Sequence, residues 1–468
     1  MRRSMMATAG LVLAAVLMAG CEPPNHVDSP ADGSTMYFAF GPTARFELPQ
    51  GSQLYAFDVE RCRLRCLSDD PRMNVWVTGN DDGSRFSWTR CLSQSDFQLH
   101  VQGAGAREGR QLGAAYNAYG GSSFVPGNGW LLAYEGRTLE TMHWTLFDPA
   151  GSEIGMPYDK ELKAVGTDTP ALAKNRVAVA VYGMNKDYPK TSQKPYGVWV
   201  YVIDLSSGKP VATLAGMWEV HYHEIPIRFL ESPTIDLSFS PDGSKIVAAW
   251  YSLTKTTFYE LDAKGAAKPK ELFSDAKALR PAYMSDGKGV AYMRVHPDAA
   301  KYNVMQVMLR RPDDAQPKAL AELPGLPRTC GTALRRLADG RMRVMHLSND
   351  GLAVVECAVD GSGVTTRSVP TDKMEKQRQL ARFEYVFKQN PSVNQWQAPY
   401  EVSKLVPTPT PAGAKREDDV ALALEKAFAE TSVWKSETVA AEPTPSVPSV
   451  PALTPSVPSV PSIPIPTP

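Results

Sequence analysis

The chain lacks an excess of charge of either sign. Its 468 residues carry 50 Lys and Arg against 50 Asp and Glu. A cancelled balance offers no long-range field to gather a polyanion, so nucleic acid is not an expected partner. Cysteine is scarce, with six in all. Cys62 and Cys66, four apart, with one more at Cys91, fit the four-ligand frame of a zinc site poorly. The common catalytic frames are missing too. There is no Gly-x-Ser-x-Gly elbow, no Walker loop and no Gly-x-Gly-x-x-Gly after a strand. Those absences argue against a serine peptidase and leave no cofactor to expect. The apolar run at residues 11–18 is too short to span a bilayer.

What is present is a repeat. Residues 234–272 read TIDLSFSPDGSKIVAAWYSLTKTTFYELDAKGAAKPKEL. The first seven alternate apolar and polar, as a half-buried strand does. Pro241, Asp242 and Gly243 are turn chemistry: proline presets φ, and glycine takes a positive φ at no steric cost. Further short apolar runs follow at 245–250, 256–261 and 268–272. Four short antiparallel strands in about 40 residues match one blade of a β-propeller.

Here FSPDGSKIVAAW followed by TTFYELDAKG resembles the repeat of TolB-type and WD-repeat-like bacterial propellers. The resemblance covers repeat pattern alone, and nothing in the chain matches the additional N-terminal domain of TolB. It implies a rigid disc that displays loops around a central channel and works by binding.

The unit recurs. Its first turn is marked at Gly33, Gly83, Asn128, Asn175, Gly243, Gly287 and Gly340, in steps of 50, 45, 47, 68, 44 and 53. Asparagine can stand for glycine at two of them because it also visits the left-handed region. A second series runs in register with the first. It consists of strand, turn and return strand at 54–67, 97–112, 143–156, 198–214, 258–272, 304–320 and 354–369. The expected fold is all-β, a seven-bladed β-propeller over residues 29–370. Six or eight blades stay open because the first unit is ambiguous. Closure is open as well. Either 36–40 and 44–49 begin a complete first blade, or 36–40 is a second strand and a segment within 383–405 supplies the missing one.

Beyond the repeats, residues 371–389 read as a helix capped by Thr371, with Leu380, Phe383, Val386 and Phe387 on a face that packs on the disc. That helix and its extension make up 371–405. A linker, 406–442, holds a second candidate helix at 416–435, with Val420, Leu422, Leu424, Ala427 and Phe428 as a moderate apolar stripe. Residues 443–468 hold ten prolines and neither charge nor aromatic. They cannot bury a core and are expected to be a disordered, polyproline-II-like tail, either a solvated spacer or a ligand for a groove.

The amino terminus reads as an address. Arg2 and Arg3 precede the apolar run, and Ala19 and Gly20 precede Cys21. This is similar to a bacterial lipobox and implies a signal peptide at 1–20, lipid attachment at Cys21 and a short tether at 21–28. Met18 departs from the small residue usual at its place. A plain secretory signal with a chance cysteine is the alternative. By resemblance to lipoproteins of diderm bacteria, Glu22 implies the outer membrane. Export permits disulfides among Cys62, Cys66, Cys91, Cys330 and Cys357. Cys62 and Cys66 stand too far apart on a strand to bridge each other, so one of them with Cys91 is the better pairing, with Cys330–Cys357 possible. Five is odd, which leaves at least one thiol free or paired between chains.

The longest step contains His221, His223 and Glu224. Two imidazoles on one strand face with an adjacent carboxylate could hold a transition metal. The plainer reading is a polar strand face with Trp218 and Tyr222 packed behind it. His100, His143, His296 and His346 stand alone and read as core or surface residues. Aspartates in the Asp-Gly turns read as turn holders rather than calcium ligands. The functional expectation is a lipid-anchored cell-envelope scaffold for a protein or wall polymer, monomeric or part of a larger envelope complex. The alternatives are a propeller-type polysaccharide lyase or hydrolase with metal near His221 and His223, and a structural component of a surface or secretion assembly.

Overall fold

The computed structural model describes residues 27–390 and 416–438. Residues 31, 41–52, 69–72, 94–95, 104–105, 107, 114–118, 137–142, 165–169, 185–195, 221–234, 252–254, 266, 277, 302, 326–330 and 349 fall outside that description. Among the described residues, seven antiparallel sheets follow one another along the chain, at 27–68, 73–112, 119–154, 163–220, 235–275, 278–324 and 331–370. Each is ordered as the chain runs, so each blade is built from its own consecutive strands. Blade 4 has two short inner strands, Lys163–Ala164 and Ala171–Ala173, both paired with Arg176–Met184. The first strands pack side by side around an axis, that of blade 1 lying between those of blades 2 and 7. The fold is a seven-bladed β-propeller.

All seven turn markers fall between a first and a second strand. Gly243 sits at φ 66°, a conformation that favours glycine, while the Arg176 guanidinium that lies over it is the mobile end of a long side chain. Asn175 takes the left-handed conformation, φ 60°. Asn128 does not. Its neighbours Gly127 and Gly129 carry the positive φ, and its side-chain Oδ1 accepts the Trp130 N–H at 3.1 Å.

The expected alternation along the first strand of blade 5 does not appear as alternating exposure. Ile235, Asp236 and Leu237 are all buried. Both faces of a blade lie against neighbouring blades, so a central strand is covered on both sides. The apolar core is accordingly divided into seven clusters, one at each seam between blades. The seam between blades 7 and 1 has the largest, because two helices join it.

Ring closure follows neither expected arrangement. Residues 36–40 do lie in a second strand, Thr35–Phe40, but its inner partner is the two-residue strand Val27–Asp28. Among the described residues no later segment joins blade 1, and 391–405 of the expected segment lie outside them. The ends abut, and a C-terminal clasp covers the join. Helix α1 (Thr371–Gln389) follows directly from blade 7 and lies across the outer strand of blade 1, Arg63–Ser68. Pro370, not Thr371, is its N-cap, in extended conformation with no side-chain capping bond. Leu380, Phe383 and Phe387 are buried as expected, with Met374, Gln377 and Ala381. Helix α2 (Arg416–Thr431) docks on α1 through Val420, Ala423, Leu424, Ala427 and Phe428. Leu422 points away and is 57% exposed. The strand Lys435–Thr438 then adds to the outer edge of blade 7 at Thr365–Pro370.

One side chain ties the clasp together. The Gln377 carbonyl accepts the Leu64 N–H at 2.9 Å, and its amide donates to the carbonyls of Cys62 (3.0 Å) and Thr431 (3.1 Å). Arg63 bonds Glu425 at 2.6 Å and lies 4.2 Å over the Phe428 ring. Trp434 meets Phe57 edge-on at 5.7 Å, and the Arg367 guanidinium lies 5.0 Å over the Trp434 ring.

The expected bridge from Cys62 or Cys66 to Cys91 is not made. All three are buried thiols outside any disulfide, as is Cys357, and the Cys66 thiol donates to the Ser68 carbonyl. Cys62 and Cys66 face the cluster under the clasp, whereas Cys91 lies on the second strand of blade 2. Burial pushes the thiols of Cys62 and Cys357 up to about 11 and that of Cys91 to about 12, so they are protonated and unreactive at neutral pH. Cys330 lies outside the described residues.

Candidate binding site

The strand order divides the disc into two unlike faces. Turns joining first to second and third to fourth strands leave on one face. Connections from second to third strands, and from one blade to the next, leave on the other. The first face is made of tight turns held by aspartate. Asp82, Asp204, Asp242, Asp339 and Asp360 each accept the backbone N–H two residues on, at 2.8–3.0 Å. The hydroxyls of Ser84, Ser206 and Ser362, with these N–H groups, hold the carboxyls of Asp82, Asp204 and Asp360 below their usual range, and the Arg341 backbone and side chain do so for Asp339. For Asp242 the Ser240 hydroxyl is the largest cause, followed by the Ser244 backbone and side chain. The aspartates are therefore turn holders, as expected. On the second face lie the strand ends that flank 41–52, 185–195 and 221–234, segments of twelve, eleven and fourteen residues outside the described residues.

Polar pins join the blades around the axis. The Asp28 carboxylate accepts from the Arg335 guanidinium at 2.9 Å and from the Thr78 hydroxyl, linking blades 1, 7 and 2. Arg335 also donates from Nε to the Ser29 carbonyl at 2.8 Å. The Ser87 and Ser122 hydroxyls meet at 2.7 Å between blades 2 and 3. Asp236 accepts the Arg280 N–H at 2.7 Å between blades 5 and 6. Neither Asp28 nor Arg280 stood out in the sequence, although the charged Arg280 beside Pro281 in an otherwise apolar strand was a usable signal.

His221, His223 and Glu224, the alternative metal ligands read from the sequence, lie outside the described residues, as does Cys21, the expected lipid site. The strand leading to the three, Val211–Val220, ends on an aromatic base. Trp218 stacks on Tyr259 at 5.4 Å and meets Trp250 edge-on at 5.8 Å. The aromatic packing expected of Trp218 is therefore in place at the start of the 221–234 connection. Among the described residues no group of three or more His, Cys, Asp and Glu is placed to hold a metal. The other histidines have local partners. His346 is buried, bonded to the Thr332 hydroxyl (2.9 Å) and the Pro324 carbonyl (2.7 Å), and burial lowers its pKa. His143 meets Glu135 at 3.3 Å, His296 meets Glu322 at 3.0 Å, and His100 stacks on Trp88 at 5.3 Å. A separate cleft of about 440 Å³ opens between α1 and blades 1 and 2, lined by Arg65, Phe86, Gln102, Tyr385 and Lys388 among others.

No family model matches the chain, and no curated protein matches it by sequence. Similar solved structures include TolB from Acinetobacter baumannii, at 12% identity over 70% of this chain and 78% of that one, TM-score 0.37. Hydrazine synthase of Kuenenia stuttgartiensis is similar at 14% identity over 72% and 97%, TM-score 0.46. Prolyl oligopeptidase B from Galerina marginata is similar at 12% over 71% of this chain but only 46% of that one, TM-score 0.39. A TolB protein is thus among the similar structures, in line with the resemblance read from blade 5. The sheet pairing, and not these likenesses, establishes the seven-bladed fold.

Proposed function

We propose that the protein is a cell-envelope binding scaffold that presents the long-loop face of its propeller to a protein or wall polymer. The observation that carries this reading is the division of the disc. One face is closed by short, aspartate-held turns, while the strand ends on the other are joined by the longest sequence segments, 41–52, 185–195 and 221–234. The leader and Cys21 support an exported, lipid-anchored protein, and Glu22 supports the outer membrane.

Two substitution sites test the face. Met184, 66% exposed at the end of its strand, lies on the loop face, and Ser207, exposed in a turn, lies on the other. A photo-cross-linking residue at 184 should capture an envelope component in living cells, and one at 207 should not. Capture from 207 alone, or from neither, overturns the proposed face. Cys21→Ser should move the protein from the membrane to the soluble fraction. Unchanged membrane association would remove the lipid anchor from the reading.

A further inference from the structure

Two innermost strands hold a non-glycine residue in the left-handed region. They are Trp76 in blade 2, φ 49°, and Arg280 in blade 6, φ 53°. Both begin the same irregularity. The pairing jumps from Val75 to Thr78 and from Leu279 to Ala282, leaving two residues bulged. The first strands of blades 5 and 7 pair without a break. Left-handed backbone is unfavourable for a non-glycine residue, and bulges re-aim side chains.

The Arg280 bulge is held open by its neighbour. The buried Asp236 carboxylate accepts the Arg280 backbone N–H at 2.7 Å. The Arg280 guanidinium itself makes no ion pair or hydrogen bond among the described residues, although it is only partly exposed. An innermost strand is covered by neighbouring blades on its faces and by its own sheet on one edge, so its remaining exposure is to the channel. The nearest cation on the axis, Arg335, is already joined to Asp28, and the positive charge of Arg280 works against it. Asp28 and Asp236 offset only part of the positive charge that Lys163, Arg280, Arg335 and Arg336 place on the innermost strands. What remains unused is a planar fork of N–H donors, the shape that matches an oxyanion through two parallel bonds.

We propose that Arg280 anchors a carboxylate-binding site in the axial channel. The carboxylate comes either from a free small acid or from an acidic segment of the bound partner. The second source rests on the binding-scaffold reading, whereas the site itself does not.

The test uses calorimetric titration of the full chain with succinate and, separately, with an N-acetylated, C-amidated Asp-Asp-Asp tripeptide. At least one should bind. Arg280→Gly should weaken that binding by about tenfold or more, as expected for a lost charge-assisted bond. Glycine accepts φ 53° freely, so this variant should melt at the same temperature as the native chain or higher. Arg280→Lys, which keeps the charge and loses the fork, should also bind more weakly than the native chain. Tighter binding of the tripeptide assigns the site to a partner segment, and tighter binding of succinate assigns it to a free acid. No binding of either probe, or equal binding by Arg280→Gly, overturns the proposal. Cross-linking from position 184 can succeed or fail independently of these titrations, so the two readings fail separately.

Discussion

The seam between blades 5 and 6 and the seam between blades 7 and 1 do the same job with different means. At the first, Phe258 stacks on Phe273 at 4.3 Å and Tyr292 leans on Phe258 at 4.9 Å, in a cluster of apolar and aromatic side chains. The chain itself runs from one blade to the next there. At the second the blades are not consecutive in sequence, so no short connection holds them. Besides the largest apolar cluster, it is crossed by side-chain polar bonds between residues about 300 apart in sequence. Arg335 reaches Asp28, and Arg343 donates to the Gly33 carbonyl at 2.8 Å and to Glu60 at 2.6 Å. Glu356 gathers Arg341, Arg343 and Arg367 behind them. The clasp then adds two helix faces and a strand. A ring has one seam where chain continuity gives no help, and there the sequence supplies extra contacts. Loop-closure entropy is met once, by packing with high sequence separation.

Removing residues 371–438 should have the largest effect. Without the clasp the disc should lose its single cooperative calorimetric transition, because the buried faces of Leu64, Phe57 and Cys62 would meet water. A truncated disc that melts like the full chain would erase the distinction between seams. Next come single cavities. Phe428→Ala and Phe258→Ala should each cost about 3–5 kcal/mol in denaturant unfolding. Only Phe428→Ala should speed amide exchange in α1, α2 and 435–438. Equal exchange patterns would mean the clasp is not a separate unit. Gln377→Ala should cost about 2–3 kcal/mol, since it leaves the buried Leu64 N–H and the Cys62 and Thr431 carbonyls without their partner. A shift in urea midpoint below a third of that of Phe428→Ala would show that water replaces the amide.

The smallest expected effect is that of acid. The turn aspartates have folded-state pKa values below their unfolded ones. Their contribution is present above the unfolded pKa, about 4, and is lost as pH falls through the folded value. Melting temperature should decline below about pH 4, and Asp242→Asn should make that decline shallower. The change should be the same whether or not the clasp is intact, because Asp242 lies on the turn face away from the 7–1 seam. A decline unaltered by the substitution would place the acid sensitivity elsewhere.

The blades were legible because each is local. Alternating runs, Asp-Gly turns and hairpins lie within about 40 residues, and the markers predicted every first turn. Helix α1 was legible because Leu380, Phe383 and Phe387 recur at helical spacing. The strand Lys435–Thr438 was not, since four polar residues carry no strand signal until the edge of blade 7 offers them partners. Val27–Asp28 is too short to announce itself. The candidate carboxylate site was hidden for a related reason. Arg280 becomes distinctive only when its backbone turns left-handed against Asp236, forty-four residues earlier.

The sequence by itself pointed to seven blades, the turn chemistry and the first helix, because each depends on residues close together in the chain. The tertiary structure alone decided how the ring closes, that Cys62, Cys66 and Cys91 stay apart, and which charges meet at the axis. Those outcomes depend on which distant surfaces remain uncovered once the blades have formed, and local pattern does not encode that.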